Sequence, residues 1–324
     1  MAQLDEAARR ANSRRNSVHT ALLIVGIGLL VAVPTYLIWG GTGLIIAIAL
    51  VAFAGFGSQR VPPELVMRMY SARPIPPGNV SPLGRIVNEL SRRAQLPKTP
   101  PMYIVPSLTL NAFATGARDN AAIAVTEGLL RRLETHEVAG VLAHEISHIA
   151  NNDTCVMGLA DVVSRMTMAM SYAAAFLFFI NMWSFLIHGE AAVSWWAIVI
   201  LYLAPTLSSL MQLALSRARE YDADLEAAML TGHPSWLASA LKKLEQSNGR
   251  FWEDLMYPVP TRRTPQPSIL RSHPTTADRI RRLAALDNRE LNAPINVPEG
   301  PSVSLIGVGP ATLQPRYRFP GLWY

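Results

Sequence analysis

The sequence has almost no cysteine, and it contains long stretches without a charged side chain. Cys155 is the single cysteine among 324 residues, so no disulfide within the chain contributes to its fold, and the soluble parts are expected in a reducing compartment. Residues 16–59 contain no Asp, Glu, Lys or Arg, and Glu190 is the only such residue between 166 and 216. Uncharged runs of this length are typical of membrane spans, which argues against an ordinary soluble enzyme.

Positive charge exceeds negative charge, with 29 Lys and Arg against 23 Asp and Glu and a net charge of +6. The basic residues cluster at the ends of hydrophobic stretches or alternate with acidic residues, and no aromatic side chains are interleaved with them as stacking platforms. We therefore expect no nucleic-acid partner. The lipid bilayer is the expected partner of these basic residues.

The two uncharged stretches are predicted to form two transmembrane hairpins, at residues 21–57 and 166–216. The first would turn at Gly40–Gly43 and the second near Glu190. Arginines flank both hairpins while the turns lack positive charge, so the positive-inside rule puts both ends of each hairpin in the cytoplasm. The alternative for residues 166–216 is a buried helical hairpin in a large soluble core, but its length and near absence of charge favour the membrane.

The rest of the chain is predicted to be soluble. Short apolar runs separated by turn residues predict a small β-sheet between residues 102 and 125, with helices on either side of it in the sequence. The predicted fold class is a mainly α integral membrane protein with about four transmembrane helices and an α+β domain. The soluble ranges are a cytoplasmic N-terminal segment at 1–20, a first part of the α+β domain at 58–165, a second part at 217–292, and a Pro- and Gly-rich tail at 293–324.

The segment Thr135–Ala150 is predicted to be a helix, and it contains the pattern H-E-I-S-H. His144 and His148 are four residues apart, so they lie on one face of a helix and can direct two imidazoles at one point. A random H-E-x-x-H occurs in a chain of this length about once in a hundred sequences. The spacing therefore predicts a metal site, with Glu145 beside it as the general base for a metal-activated water.

The third metal ligand is expected from the helix that follows the second hairpin, which begins S-R-A-R-E-Y-D-A-D. A zinc ion bound by two histidines of one helix needs a further protein ligand from another element. We choose Glu220, and we expect Asp224, one turn later, to accept the free ring N–H of a ligating histidine. Taken alone, this stretch is equally consistent with a charged helix end at the membrane interface.

Together these motifs resemble the HtpX family of membrane zinc metalloproteases, which is related to the type I CAAX prenyl proteases. The resemblance also includes N-A-F-A-T-G at residues 111–116 and S-H-P at residues 272–274, and it extends from the first hairpin to about Leu283. It implies a zincin-type metalloprotease domain in which His144, His148 and Glu220 bind one zinc ion. It also implies cleavage of membrane or misfolded proteins at the cytoplasmic face of the cell (inner) membrane.

Three further segments have roles that the sequence leaves open. The four residues Asn111, Ala112, Phe113 and Ala114 would bind an extended substrate by strand addition, or they form an ordinary short strand. His273 would stabilise the oxyanion, or it is a loop histidine beside Pro274. Residues 275–286 are predicted to form a basic amphipathic helix with Arg279, Arg281 and Arg282 on its polar side, near anionic headgroups.

The leading functional hypothesis is a zinc endopeptidase of membrane-protein quality control. A dedicated processing protease of the CAAX type is the alternative within the same class, and a catalytically silent membrane adaptor is the alternative outside it. The intact set of His144, Glu145, His148 and Glu220 argues against the silent adaptor, since a scaffold has no need for all four. The sequence makes no prediction of oligomeric state.

Overall fold

The computed structural model describes residues 2–58, 62–75, 81–256, 275–286 and 291–297, together with short strands at 317–318 and 322–323. In chain order the elements are α1 (Ala2–Ser58), α2 (Pro63–Met69), β1 (Arg73–Pro74), α3 (Pro82–Arg93), β2 (Met102–Val105), β3 (Ala112–Ala117), β4 (Asn120–Thr126), α4 (Glu127–Arg132), α5 (Thr135–Ala150), α6 (Asp153–His188), α7 (Trp195–Thr231), α8 (Pro234–Met256), α9 (Thr276–Ala284), β5 (Tyr317–Arg318) and β6 (Leu322–Trp323). The chain divides into two compact units. Among the described residues, the first contains 2–58 and 155–218, and the second contains the rest.

In the first unit, α1 turns back on itself at Gly40. The backbone of Gly40 has φ 61° and ψ −142°, and a Cβ on Gly43 would lie 2.2 Å from the carbonyl oxygen of Thr35. Eight residues of a straight helix extend about 12 Å, so this contact requires the chain to reverse. The turn predicted at Gly40–Gly43 is therefore present, and the close approach explains why position 43 has no side chain.

Three helices among the described residues are long and apolar enough to cross a membrane: Gly28–Ile46, Met166–His188 and Trp195–Thr231. The sequence predicted about four spans, and the difference lies in α1. The Gly40 turn lies inside the first of these stretches, Gly28–Ile46. This stretch is a single candidate span, whereas the sequence predicted two spans in this region.

One face of α6 consists of large apolar side chains that are exposed in the chain. Five of them are between 68% and 73% exposed and follow one another at intervals of four and three residues: Tyr172, Phe176, Phe179, Trp183 and Leu186. That spacing makes a continuous stripe along one side of the helix. A soluble protein rarely exposes an apolar patch of this extent, whereas a lipid-facing helix requires one.

A buried asparagine on α6 forms hydrogen bonds with the segment that connects α6 to α7. The side-chain amide of Asn181 donates to the carbonyl of Val193 at 2.7 Å and accepts from its N–H at 2.8 Å. Both polar groups of the Asn181 side chain are thereby satisfied, as an apolar environment demands. This pair fixes the two helices at their connection.

The second unit is built on a four-stranded sheet with the order β1-β2-β4-β3. Strand β2 runs parallel to β4, whereas β1 and β3 are antiparallel to their neighbours. Side chains of β4 alternate between two faces, as the period of a strand dictates. Ile123 and Val125 belong to the main hydrophobic core with α3 and α5, while Ala122 and Ala124 belong to a smaller cluster with Met67.

Helix α5 is fixed at both ends. A capping box joins Glu134 and Glu137 at its N-terminus, and the buried carboxylate of Glu137 also accepts from Ser239 at 2.6 Å and Lys243 at 2.7 Å on α8. At the other end, Arg118 donates to the carbonyl of Ala150. Because both ends are held, side chains in the middle of α5 have a fixed position and rotation.

An extended segment, here called the C-terminal strap (Leu291–Val297), packs against the C-terminal end of α7. Helix ends leave their last carbonyl groups without partners inside the helix, and here three of them are satisfied from outside. The pairs are Asn292 Nδ2 with Met229 at 2.9 Å, Arg93 Nη1 with Leu230 at 3.0 Å, and the Ile295 N–H with Thr231 at 3.1 Å. Gly232, at φ 75°, has no room for a side chain because a Cβ would lie 2.5 Å from the Asn292 carbonyl oxygen.

Candidate metal centre

Three side-chain donors from two helices meet at one point. Nε2 of His144 lies 3.1 Å from Nε2 of His148 and 3.5 Å from Oε2 of Glu220, and the donor atoms of all three residues lie within 4.8 Å of one another. Ligands of a tetrahedral ion with bonds of 2.0–2.2 Å are about 3.4 Å apart. Two of the three donor separations thus match a tetrahedral metal ion, and the third is within 4.8 Å, so the three side chains can share one ion after a small adjustment.

The remaining nitrogen of each histidine faces a buried carboxylate. His148 Nδ1 is hydrogen-bonded to Oδ2 of Asp153 at 2.8 Å. His144 Nδ1 lies 3.1 Å from Oδ1 of Asp224, although this pair is less well aligned for a hydrogen bond. A carboxylate at Nδ1 keeps the ring proton there and leaves Nε2 as a metal donor. The structure thus places Asp224 beside His144, and it places Asp153, which the sequence reasoning missed, beside His148.

Arg279 of α9 is a second residue that the sequence reasoning missed. Its guanidinium donates to both oxygens of Asp224 at 2.8 and 2.6 Å and lies 3.0 Å from Oε2 of Glu220. The prediction that Arg279 lies on the polar side of this helix is wrong, because Arg279 is buried while Arg281 and Arg282 are exposed. The signal available in the sequence was its position four residues before the buried Leu283, on the same face of the helix.

The pKa of His144 shows the electrostatic character of the site. Burial lowers this pKa, but the carboxylates of Asp224 and Glu220 outweigh burial and raise it to about 10. Without a metal, the site therefore holds a proton on His144. Because a metal ion requires the neutral imidazole, its binding releases that proton.

Glu145 lies beside the three donors, is half-buried, and is not one of them. Burial raises its pKa, and the nearby His144 and His148 oppose that rise. The backbone N–H of Ala114 on β3 also interacts with the carboxylate. A carboxylate with a raised pKa is a better proton acceptor than an ordinary glutamate, as a general base requires.

Strand β3 is one of the two edge strands of the sheet. Thr126 N–H donates to the Asn111 carbonyl at 3.0 Å, so the alternation of an antiparallel ladder turns the main-chain groups of Ala112, Ala114 and Gly116 away from β4. Thr154 uses one of these groups, donating to the Gly116 carbonyl at 2.6 Å. Of the four residues predicted to bind substrate, Ala112 and Ala114 thus present main-chain groups at the edge, whereas Asn111 and Phe113 face β4. His273 lies outside the described residues.

A family model covers more than half of the chain, and curated relatives match most of its length. The family model described as Peptidase family M48 matches residues 79–287. Protease HtpX of Legionella pneumophila (strain Philadelphia 1) is 35% identical over 84% of this chain and 99% of its own length. A Protease HtpX homolog of Pyrococcus furiosus is 40% identical over 82% and 94%, respectively. The crystal structure of S. mikatae Ste24p aligns with a TM-score of 0.48 and 18% identity, covering 83% of this chain and 64% of that chain.

Proposed function

The chain belongs to peptidase family M48 and is a membrane metalloprotease, and we propose that it is a zinc-dependent endopeptidase of membrane-protein quality control. Its substrates would be membrane or misfolded polypeptides, cut at the cytoplasmic face of the inner membrane. The observation that carries this proposal is the convergence of His144, His148 and Glu220, whose donor atoms lie within 4.8 Å of one another, with Glu145 beside them. Two imidazoles and one carboxylate form a ligand set typical of catalytic zinc, which keeps a coordination position open.

Zinc bound by these three residues would polarise the scissile carbonyl and lower the pKa of water. Glu145 accepts the proton of the attacking water and delivers it to the leaving amine. The raised pKa of its carboxylate suits the first transfer, since a more basic carboxylate accepts a proton more readily. No covalent intermediate with the protein is needed.

Substrate recognition is assigned to the edge of β3 that faces away from β4. The main-chain groups of Ala112 and the carbonyl of Ala114 would pair with an extended substrate as an additional strand, while the Ala114 N–H interacts with Glu145. Such pairing recognises the backbone and tolerates many side chains. It also requires a chain that is already unfolded or extended, which favours damaged proteins over folded ones and supports the quality-control role.

The zinc and endopeptidase assignments are tested on the purified detergent-solubilised protein. We expect about one zinc per chain, cleavage of unfolded casein at several sites, loss of cleavage in a chelator, and recovery on adding zinc. A folded control protein such as intact lysozyme should remain uncut. Absence of bound zinc would contradict the metal assignment, and cleavage restricted to one defined C-terminal motif would indicate a dedicated processing protease.

The orientation is tested by reporter fusions in the two predicted turns. Fusions at Gly41 and Glu190 should both report the non-cytoplasmic side, because the arginines flanking the hairpins are retained in the cytoplasm. A fusion after Met256 serves as the cytoplasmic control. A cytoplasmic signal at Glu190 would remove the second hairpin from the membrane.

A further inference from the structure

A buried ion pair links α7, which carries Glu220, to Asp153, just beyond the helix that carries His144 and His148. Asp153, the first residue of α6, is 3% exposed and lies five residues after His148. Arg219 on α7 is 2% exposed and immediately precedes Glu220. The guanidinium of Arg219 donates to Oδ1 of Asp153 while Oδ2 of the same carboxylate contacts His148. The carboxylate of Asp153 thus contacts both the proposed metal ligand His148 and Arg219, the residue that precedes the proposed ligand Glu220.

The contact between Asp153 and His148 determines the tautomer of the imidazole as well as its position. A carboxylate at Nδ1 selects the tautomer whose Nε2 lone pair faces the metal and makes that nitrogen a stronger donor. Asp153 can do so only while its own orientation is fixed, and the hydrogen bond from Arg219 fixes it. The same hydrogen bond ties the α7 turn that bears Glu220 to the residues that follow α5.

We propose that Asp153 and Arg219 are positioning residues that align His148 with Glu220 before the metal arrives. The proposal rests on the metal site assigned above. It gives each histidine its own carboxylate and arginine: Asp153 with Arg219 serves His148, and Asp224 with Arg279 serves His144. In this arrangement Asp153 affects the affinity for metal, and it does so without contacting the metal.

The competing explanation is that the pair only stabilises the fold. Buried ion pairs contribute little net stability compared with apolar packing, although removing one partner is costly. The second unit offers a matched case in Glu137 and Lys243, which are joined at 2.7 Å with Glu137 1% exposed. Glu137 lies on the same helix as His148 but contacts no ligand among the described residues. Loss of either carboxylate should lower stability, so stability alone does not separate the two explanations.

The test compares Asp153→Asn with Glu137→Gln in the full-length protein. We measure the zinc dissociation constant by chelator competition and the visible spectrum of the Co2+-substituted protein, which reports ligand geometry. Asp153→Asn should weaken zinc binding about 10- to 100-fold and alter the cobalt spectrum. Glu137→Gln should leave both measurements close to those of the wild type, even if its melting temperature falls.

A double variant keeps the test informative if Asp153→Asn alone fails to fold. Asp153→Asn combined with Arg219→Gln removes both charges, so no arginine is left buried without its carboxylate, yet His148 still loses its anion. It should show the same weakened zinc binding and altered spectrum. Wild-type affinity and spectrum in the folded double variant would overturn the proposal, as would equal losses in Glu137→Gln. Failure of the wild type itself to bind zinc would instead refute the metal site.

Discussion

Glu145→Gln is expected to abolish peptide hydrolysis while leaving the metal bound. The three donors that meet in the site are His144, His148 and Glu220, so the amide leaves that set unchanged. The amide of the Gln side chain cannot accept the proton of the attacking water. General-base catalysis typically increases the rate by a factor of about 100 to 10,000. Casein cleavage should fall by that factor, and metal content measured by mass spectrometry should stay at the wild-type value.

The matched control is Glu89→Gln, the same change in a carboxylate on α3 that pairs with Arg92 and Arg93 near the surface. It should retain wild-type cleavage, because exposed ion pairs contribute little to stability. Unchanged cleavage in Glu145→Gln would refute the assigned base. An inactive variant that still binds substrate can also retain its targets, so proteins recovered with Glu145→Gln and absent with Glu89→Gln would identify the substrates.

Glu220→Ala is expected to lose the metal itself. Removing a group that only orients a ligand typically weakens metal binding about 10- to 100-fold, so removing a ligand should weaken it at least about 100-fold. Arg279 adds to this loss. With Glu220 gone, its guanidinium keeps Asp224 but has one carboxylate partner fewer, so the place where a cation should bind becomes more positive.

The control for this prediction is Glu226→Ala, on the same helix. Glu226 accepts a hydrogen bond from Asn151 at 2.6 Å and is not among the three converging donors. Its removal should leave the metal stoichiometry unchanged. Bound metal is measured per chain after dialysis, with the shift in melting temperature on adding zinc as a second readout. Retention of one metal per chain by Glu220→Ala would mean that another residue is the third ligand.

The sequence predicted those parts of the site that depend on spacing within one helix. His144 and His148 share a face because they are four residues apart, and Asp224 follows Glu220 by the same interval. Asp153 was missed because the helical spacing breaks between it and His148. Asn152 has φ 55°, so the chain leaves the helical path there, and counting residues along α5 gives no direction for the side chain beyond it.

Arg279 was missed for a different reason. Its helix reads as basic and amphipathic, and an arginine in such a pattern is ordinarily assigned to solvent or headgroups. Only the packing of α9 against α7, with two carboxylates to receive the guanidinium, makes burial favourable.

The order of the strands in the sheet was also not predictable from the sequence. The short strands were predicted from their apolar runs and turns, but the parallel pairing of β2 with β4, which leaves β3 at the edge, depends on contacts between separate segments.

The C-terminal strap has a consequence for where this protein can be shortened. The match to the M48 family ends at residue 287, which makes that position an inviting place to stop an expression clone. The folded unit continues further, because Asn292 and Ile295 satisfy two of the last carbonyl groups of α7 and Ile295 is 5% exposed. A clone ending at Asp287 would fray the helix that carries Glu220, whereas one ending after Val297 would keep it intact.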